Sequence, residues 1–253
     1  MSTVLDAPTT IAPGWYEDLS MAEYLAIPAM SASGIELIRR SPAHYRWAQQ
    51  NPPEPTDAMR LGTALHMALL EPHRFGNRYI VLGQCEGLKK DGARCTYQAS
   101  VWRTGGHYCG THDPEKGAPM PGDIEVITED ALDRIEGMKA AVLAHPDARK
   151  FFEGRGRSEV TGVWRDEATG VLCKIRLDRE IGRAAIHADI KTCPDASIDG
   201  FSRQIVRMGY ARKAAFYRRG MAALGRPAIG SVLIAVEKAP PFGCQTFLLD
   251  DAD

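Results

Sequence analysis

Apolar and polar side chains alternate most plainly in two stretches near the middle of the chain. In Val171-Leu-Cys-Lys-Ile-Arg-Leu-Asp178 one parity is Val171, Cys173, Ile175 and Leu177, and the other is Leu172, Lys174, Arg176 and Asp178. A period of two predicts a strand with the first set toward the core and Asp178 on a largely polar face. In Ala185-Ile-His-Ala-Asp-Ile-Lys-Thr192 the set Ile186, Ala188 and Ile190 is apolar, while His187, Asp189 and Lys191 share the opposite face. Glu159 to Trp164 reads as a third strand just upstream, so the three form a meander. Ile229 to Val236 is apolar on both parities and predicts a strand buried on both sides. Cys244 to Leu249 completes the sheet.

Helical periodicity surrounds these strands. Ser31 or Ser33 caps a helix through Ile35 to Arg40, and another begins near Pro42. Gln49-Gln-Asn-Pro-Pro-Glu-Pro55 is a loop. A helix from about Thr63 to Leu70 carries His66 beside Ala64, Leu65, Ala68 and Leu69. Thr128 to Leu143 is a longer amphipathic helix, with Glu129, Asp130 and Asp133 near its N-terminus where the helix dipole favours them. Asp199 to Leu224 is helical with an interruption near Gly209. Residues 1–14 are small, polar and proline-containing and read as a disordered arm ahead of a domain over 15–253.

Composition narrows the class. A chain of 253 residues with 44% hydrophobic and 25% charged residues can bury one substantial α/β core and a small appended module. The first residues have neither a basic nor a long apolar region, and the run Ile229 to Val236 is too short to cross a bilayer, so a cytoplasmic protein with no membrane contact is expected. A net charge of −1 argues against coating DNA by bulk positive charge, yet permits cations gathered in one channel. Arg203, Arg207, Arg212, Lys213, Arg218 and Arg219 fall on one predicted helix and are such a gathering; a solvated helix face is the alternative for each.

The strand faces carry the chemistry. Asp178, followed eleven residues later by Asp189-Ile-Lys191, lets two neighbouring strands hold two carboxylates and an ammonium together. Glu159 brings a further carboxylate to that face. Oxygen ligands suit hard Mg²⁺ or Mn²⁺, and two such ions about 3.5–4 Å apart can clamp the oxygens of an in-line phosphoryl displacement. Lys191 would orient the attacking water or neutralise the phosphate. His66 taken alone, without the downstream acids, reads better as a packed helical histidine.

With these stretches in view, the chain resembles the PD-(D/E)XK nucleases and, within them, the RecE-like exonucleases (exonuclease VIII type) of phage recombination systems. The resemblance runs through Met30-Ser-Ala-Ser-Gly-Ile-Glu-Leu-Ile38, Ser41-Pro-Ala-His-Tyr45, Leu61-Gly-Thr-Ala-Leu-His66 and Leu69-Leu-Glu-Pro72. It resumes at Gly170-Val-Leu-Cys-Lys174, Asp178, Asp189-Ile-Lys-Thr192, Ala214-Ala-Phe-Tyr217 and Ala235-Val-Glu-Lys-Ala-Pro-Pro241. It implies an α/β restriction-endonuclease-like core, a mixed central sheet flanked by helices. It implies that His66, Glu159, Asp178 and Asp189 hold the metal and that Glu159, Asp178, Asp189 and Lys191 are catalytic. Substrate contacts would come from Lys213, Tyr217, Arg203 and Arg207. The family usually carries Gln-x-x-x-Tyr on the helix after the Asp-x-Lys strand; here Tyr217 is kept and Lys213 replaces the glutamine. A lysine meets a phosphate as a point charge but lacks the paired donor and acceptor of an amide.

The function so implied is a metal-dependent exonuclease resecting double-stranded DNA ends, feeding a single-strand annealing protein and working as a homo-oligomer. An endonuclease or single-strand nuclease, and a non-catalytic DNA-binding or assembly module on the same fold, are the alternatives.

Residues 83–122 depart from this pattern. Cys85, Cys95, Cys109 and His112 appear among glycines 87, 92, 105, 106 and 110, and Cys109-Gly-Thr-His112 has the spacing of a zinc-ribbon ligand pair. Three thiolates and an imidazole complete a tetrahedron with no open position, which predicts structural Zn²⁺; three reduced thiols beside an unrelated histidine are the alternative. Cys173, on an apolar strand face, reads as packing. Cys193 reads either way. No iron–sulfur staple is expected, because only Cys244 follows the Tyr217 region.

Overall fold

The computed structural model describes residues 11–120, 124–181 and 186–250. Along the chain, β1 (Gly14–Tyr16) precedes five helices: α1 (Met21–Ala26), α2 (Ala32–Arg40), α3 (Pro42–Gln50), α4 (Asp57–Leu70) and α5 (Pro72–Arg78). Then come β2 (Tyr79–Val81), the hairpin β3 (Val101–Arg103) and β4 (Gly106–Tyr108), β5 (Glu125–Ile127), α6 (Glu129–Ala144) and α7 (Lys150–Glu153). The meander β6 (Gly156–Arg165), β7 (Leu172–Ile181) and β8 (Ile186–Cys193) leads into α8 (Ile198–Met208) and α9 (Tyr210–Ala223). β9 (Gly230–Glu237) and β10 (Cys244–Leu249) follow.

Six strands form one sheet in the order β1-β6-β7-β8-β9-β10. All neighbours are antiparallel except β8 and β9, which run parallel, so the sheet is mixed. The two parities of β9 explain its uniformly apolar sequence. Val232, Ile234 and Val236 join Leu65, Ile135, Met138 and Ile190 in a core under α4 and α6, while Leu233 and Ala235 join Phe201, Tyr210 and Ala214 under α8 and α9. Cys173, Ile175 and Leu177 of β7 pack with Trp164 and Met221, so Cys173 is buried packing as its parity predicts.

The polar parity of β7 is covered rather than solvated. Lys174 donates to the carbonyls of Tyr24, Leu25 and Ile27, and Arg176 to that of Leu19. The segment bearing α1 therefore lies over this face. Its helix is short, but a reciprocal capping box between Ser20 and Glu23 starts it.

Three local details differ from the sequence expectation. Helix α4 starts at Asp57, six residues before Thr63, because the Thr56 hydroxyl accepts from Met59 N. The interruption expected near Gly209 in the helix over 199–224 is a full break between two helices, because the φ of 65° at Gly209 is left-handed and ends α8. Of the arm expected over 1–14, residues 1–10 lie outside the described residues, and Gly14 already belongs to β1, paired with Val163. The expected insert also ends outside them, at 121–122.

Candidate active site and cysteine cluster

The site forms where β7 and β8 part. Their ladder pairs Arg179 with Ala188 and Glu180 with His187. Beyond it the Ile190 backbone meets side chains instead: its N–H donates to Asp178 Oδ2 at 2.9 Å, and its carbonyl faces His66 Nε2 at 2.9 Å. A carbonyl only accepts, so Nε2 carries the proton and the neutral ring offers its lone pair at Nδ1. Burial pushes His66 below its ordinary range, which keeps it neutral. His66 is thus brought beside Asp178, although α4 comes from a distant part of the chain.

Glu159 stands opposite Asp178 in the β6/β7 register, at the one position where that ladder forms no pair. Its φ of 55° is left-handed, an unusual backbone for a residue with a side chain in a strand. Such strain persists only where the surroundings enforce it. Here Arg176 Nε holds the Glu159 carboxylate at 2.6 Å, with both side chains largely buried. As a result ligand atoms of His66, Glu159 and Asp178 lie within 4.8 Å of one another.

Asp189 and Lys191 adjoin this trio as an ion pair. Burial raises Asp178 well above the usual carboxylate range, and Asp189 beside it adds to the effect. Burial also acts to raise Asp189, but Lys191 and the hydrogen bond from Asp178 outweigh it and hold Asp189 at about 2. Of the two carboxyl groups, Asp178 therefore holds a proton the more readily. Burial would lower Lys191, yet Asp189 and Asp178 keep it above its ordinary value.

A cavity of about 120 Å³ opens beside Asp189 and Lys191 and is walled by Lys213, Tyr217, His187 and Tyr210. The Tyr210 ring lies between two ammonium groups, 5.5 Å from Lys191 Nζ and 5.3 Å from Lys213 Nζ. Of the cations expected in one channel, Lys213 alone lines it. Arg203 and Arg207 are exposed on α8, outside the cavity wall, because the break at Gly209 gives α8 its own axis. Arg212 pairs with Glu36, Arg219 with Asp166, and Arg218 donates to the Leu249 and Asp250 carbonyls.

Sequence reasoning missed the roles of Arg176 and Tyr24. Arg176 lay on the same parity as Asp178, which was a usable signal; Tyr24 lies on a helix too short for periodicity to show. His187 was placed on the correct face. Its Nε2 meets Ser231 Oγ at 2.8 Å, Nδ1 has no hydrogen-bond partner among the described residues, and burial lowers the ring to about 4.

The second constellation is the cysteine cluster. Cys85, Cys95 and Cys109 are buried and form a hydrophobic cluster by themselves. Cys109 Sγ lies 3.4 Å from His112 Nδ1 and 4.0 Å from Cys95 Sγ, and Cys85 Sγ lies 3.5 Å from His112 Nδ1. Tetrahedral zinc, with Zn–S near 2.3 Å and Zn–N near 2.0 Å, requires edges of about 3.5–3.8 Å, so the donor set fits that ion. The N–H groups of Gly87 and Cys109 donate to Cys85 Sγ. A side chain at Gly87 would collide with the His112 ring, so glycine is needed there. Burial would raise the Cys109 thiol, but the backbone N–H groups of His112 and Thr111 hold it at about 6. Nearby, buried Arg103 forms a bidentate pair with Asp113 and donates to the carbonyls of Glu115, Ala118 and Pro119.

Comparison with known proteins agrees with this architecture. Residues 31–252 match the family model described as a PDDEXK-like domain of unknown function (DUF3799). No curated protein matches the chain. Among solved structures, it is similar to a crystal structure named "Putative exonuclease" from Eubacterium rectale, with a TM-score of 0.59 and 13% identity, covering 93% of this chain and 79% of that one. That likeness is one of fold. A crystal structure named SSO0001 overlaps 48% of this chain and 56% of its own at a TM-score of 0.30 and 16% identity.

Proposed function

The chain belongs to the PDDEXK-like family of unknown function (DUF3799), and from that premise we propose that it is a divalent-metal-dependent nuclease, an exodeoxyribonuclease acting at double-stranded DNA ends. One observation carries the reading: His66 Nδ1 and the carboxylates of Glu159 and Asp178 converge within 4.8 Å, beside the Asp189–Lys191 pair. Four separate elements would have no structural reason to bring three carboxylates to one point.

His66, Glu159 and Asp178, with Asp189 adjoining, would hold Mg²⁺ or Mn²⁺, which supplies Lewis-acid polarisation of the phosphate and a more acidic water. The Ile190 peptide fixes the His66 tautomer and steers Asp178. Arg176 holds Glu159 in place. Lys191 is charged throughout the physiological range and meets the charge that develops on the phosphate. Lys213 and Tyr217 flank the cavity that the substrate phosphate would enter.

End-directed cleavage is supported by the exonuclease name of the Eubacterium rectale structure and by the ordered RecE-like motifs of the sequence. A single-strand annealing partner, assembly into a homo-oligomer and a role in phage-type recombination follow from the same motifs. Among the described residues, no helix is long and apolar enough to cross a membrane. The Cys85, Cys95, Cys109 and His112 cluster would bind structural Zn²⁺.

Digestion of linear and closed circular DNA with Mg²⁺ tests the proposal. Loss of the linear form alone is expected. Cutting of the circle would make the protein an endonuclease, and cutting of neither would make it a binding module.

A further inference from the structure

A groove of about 700 Å³ lies beside the catalytic cavity, walled by Tyr24, Met30, Tyr45, Gln49, Lys174 and Tyr217. It shares the wall residues Ala32, Ser33 and Tyr217 with the smaller cavity of Asp189, Lys191 and Lys213, so the two adjoin. Its size is that of a small-molecule site, about 300–1,000 Å³.

The groove and the cavity differ in chemistry. The cavity carries two ammonium groups suited to a phosphate. The groove carries three phenol rings, a thioether and prolines, and its one charged wall residue is Lys174. That ammonium is fully engaged by the carbonyls of Tyr24, Leu25 and Ile27 and lies over the Tyr24 ring at 4.7 Å. A phosphate would find no available cation there. Flat apolar faces beside a few hydroxyl and amide groups (Ser31, Ser33 and Gln49) match a nucleobase, which has apolar faces and a polar edge.

We infer that this groove is a subsite for one or two unpaired nucleobases next to the scissile phosphate, so the strand being cut enters with its bases unstacked from the duplex. The inference rests on the nuclease reading for the identity of its ligand, but its test needs no cleavage.

Binding of the full chain in EDTA is measured with two probes of equal charge, a ten-residue oligothymidylate and a ten-residue abasic deoxyribose-phosphate strand. Wild type should prefer the oligothymidylate by about tenfold, the order expected for stacking one base on an aromatic ring. Tyr45→Ala should remove the preference while keeping abasic affinity, and Tyr45→Phe should retain it. Ala48→Phe fills the groove without deleting a ring, so it should also remove the preference, and it decides the matter if Tyr45→Ala fails to fold. Equal binding of the two probes by wild type, or a preference that survives Ala48→Phe, overturns the inference. So does loss of the preference on dimerisation, which would assign the groove to a second copy of the chain. A protein that prefers bases but cuts no DNA with Mg²⁺ or Mn²⁺ keeps the subsite and loses the nuclease reading; one that cuts without base preference does the reverse.

Discussion

His66 Nδ1 lies 3.5 Å from Asp178 Oδ2, while Nε2 of the same ring is taken by the Ile190 carbonyl. A lone pair facing a carboxylate oxygen is at rest only with a proton or a cation between them. The proton that the elevated Asp178 holds is given to Asp189, so a divalent ion is the cation that would satisfy both lone pairs. Asp178→Asn should therefore abolish Mg²⁺-dependent digestion while leaving the melting temperature unchanged or slightly raised, because an amide still accepts from Ile190 N and, like the protonated carboxyl, carries no charge beside Asp189. Unaltered digestion by this variant would refute the site.

Glu159 separates structural from catalytic roles. Glu159→Ala leaves buried Arg176 without its carboxylate and should cost about 3 kcal/mol, the order found when one member of a buried pair is removed. Glu159→Gln keeps a hydrogen-bond acceptor for Arg176 and should fold nearly normally, yet lose activity. Denaturant melts alongside digestion rates check both; equal stability of the two variants would show that Arg176 does not depend on Glu159.

Much of this site was legible in the sequence because strand parity is rigid. A period of two put Asp178, Asp189 and Lys191 on the polar faces of their strands. What parity cannot show is where two strands diverge, and the site depends on that: Ile190 clamps His66 and Asp178 only because β7 and β8 part after Arg179 and Ala188. The basic residues after Asp199 were gathered on one helix interrupted near Gly209, and the structure sets Arg203 and Arg207 on α8, outside the cavity that Lys213 of α9 lines. Tyr24 was invisible for a different reason, since its six-residue helix is held by Lys174 and Arg176 from β7 rather than by a periodicity of its own.

Lys213 faces the cavity beside Tyr210 and, as a point charge there, should neutralise one substrate phosphate. Lys213→Gln should reduce the slope of log affinity against log salt by about 0.9 on duplex DNA. Lys191→Ala should instead lose about 10²-fold in turnover. An unchanged salt slope in Lys213→Gln would place Lys213 outside the DNA path.

Lys174 gives a pH signature. Burial lowers its ammonium to about 8, against about 10.4 in an unfolded chain. Between these values the unfolded chain binds more protons, so this group makes stability rise with pH from about 8 to about 10. Lys174→Met should remove that rise while costing about 2 kcal/mol overall, since three carbonyls lose their donor. Urea melts at pH 7.5 and 9.5 provide the check; a variant with the wild-type pH dependence would show that Lys174 is not the group responsible.

The cysteine cluster makes the last prediction. Among the described residues of the segment, its three thiols form the one buried hydrophobic cluster, and β3 and β4 are three residues each. So small a core contributes too little to hold a fold, so metal binding should supply the folding free energy of this segment. Protein purified without added metal should contain about one zinc per chain, in addition to the Mg²⁺ needed for cleavage. Cys109→Ser weakens the site by replacing a thiolate with a poor ligand, and should open residues 85–119 to proteolysis while the sheet carrying Asp178 and Asp189 still unfolds cooperatively. The Arg103–Asp113 pair offers a competing source of order, because it ties the loop from Asp113 to Pro119 without any metal. The two sources separate cleanly: if ion pairing suffices, chelation leaves the segment resistant to protease, whereas zinc dependence makes it labile with Arg103 still in place. Absence of zinc by elemental analysis, with the segment still resistant, would sink the metal assignment.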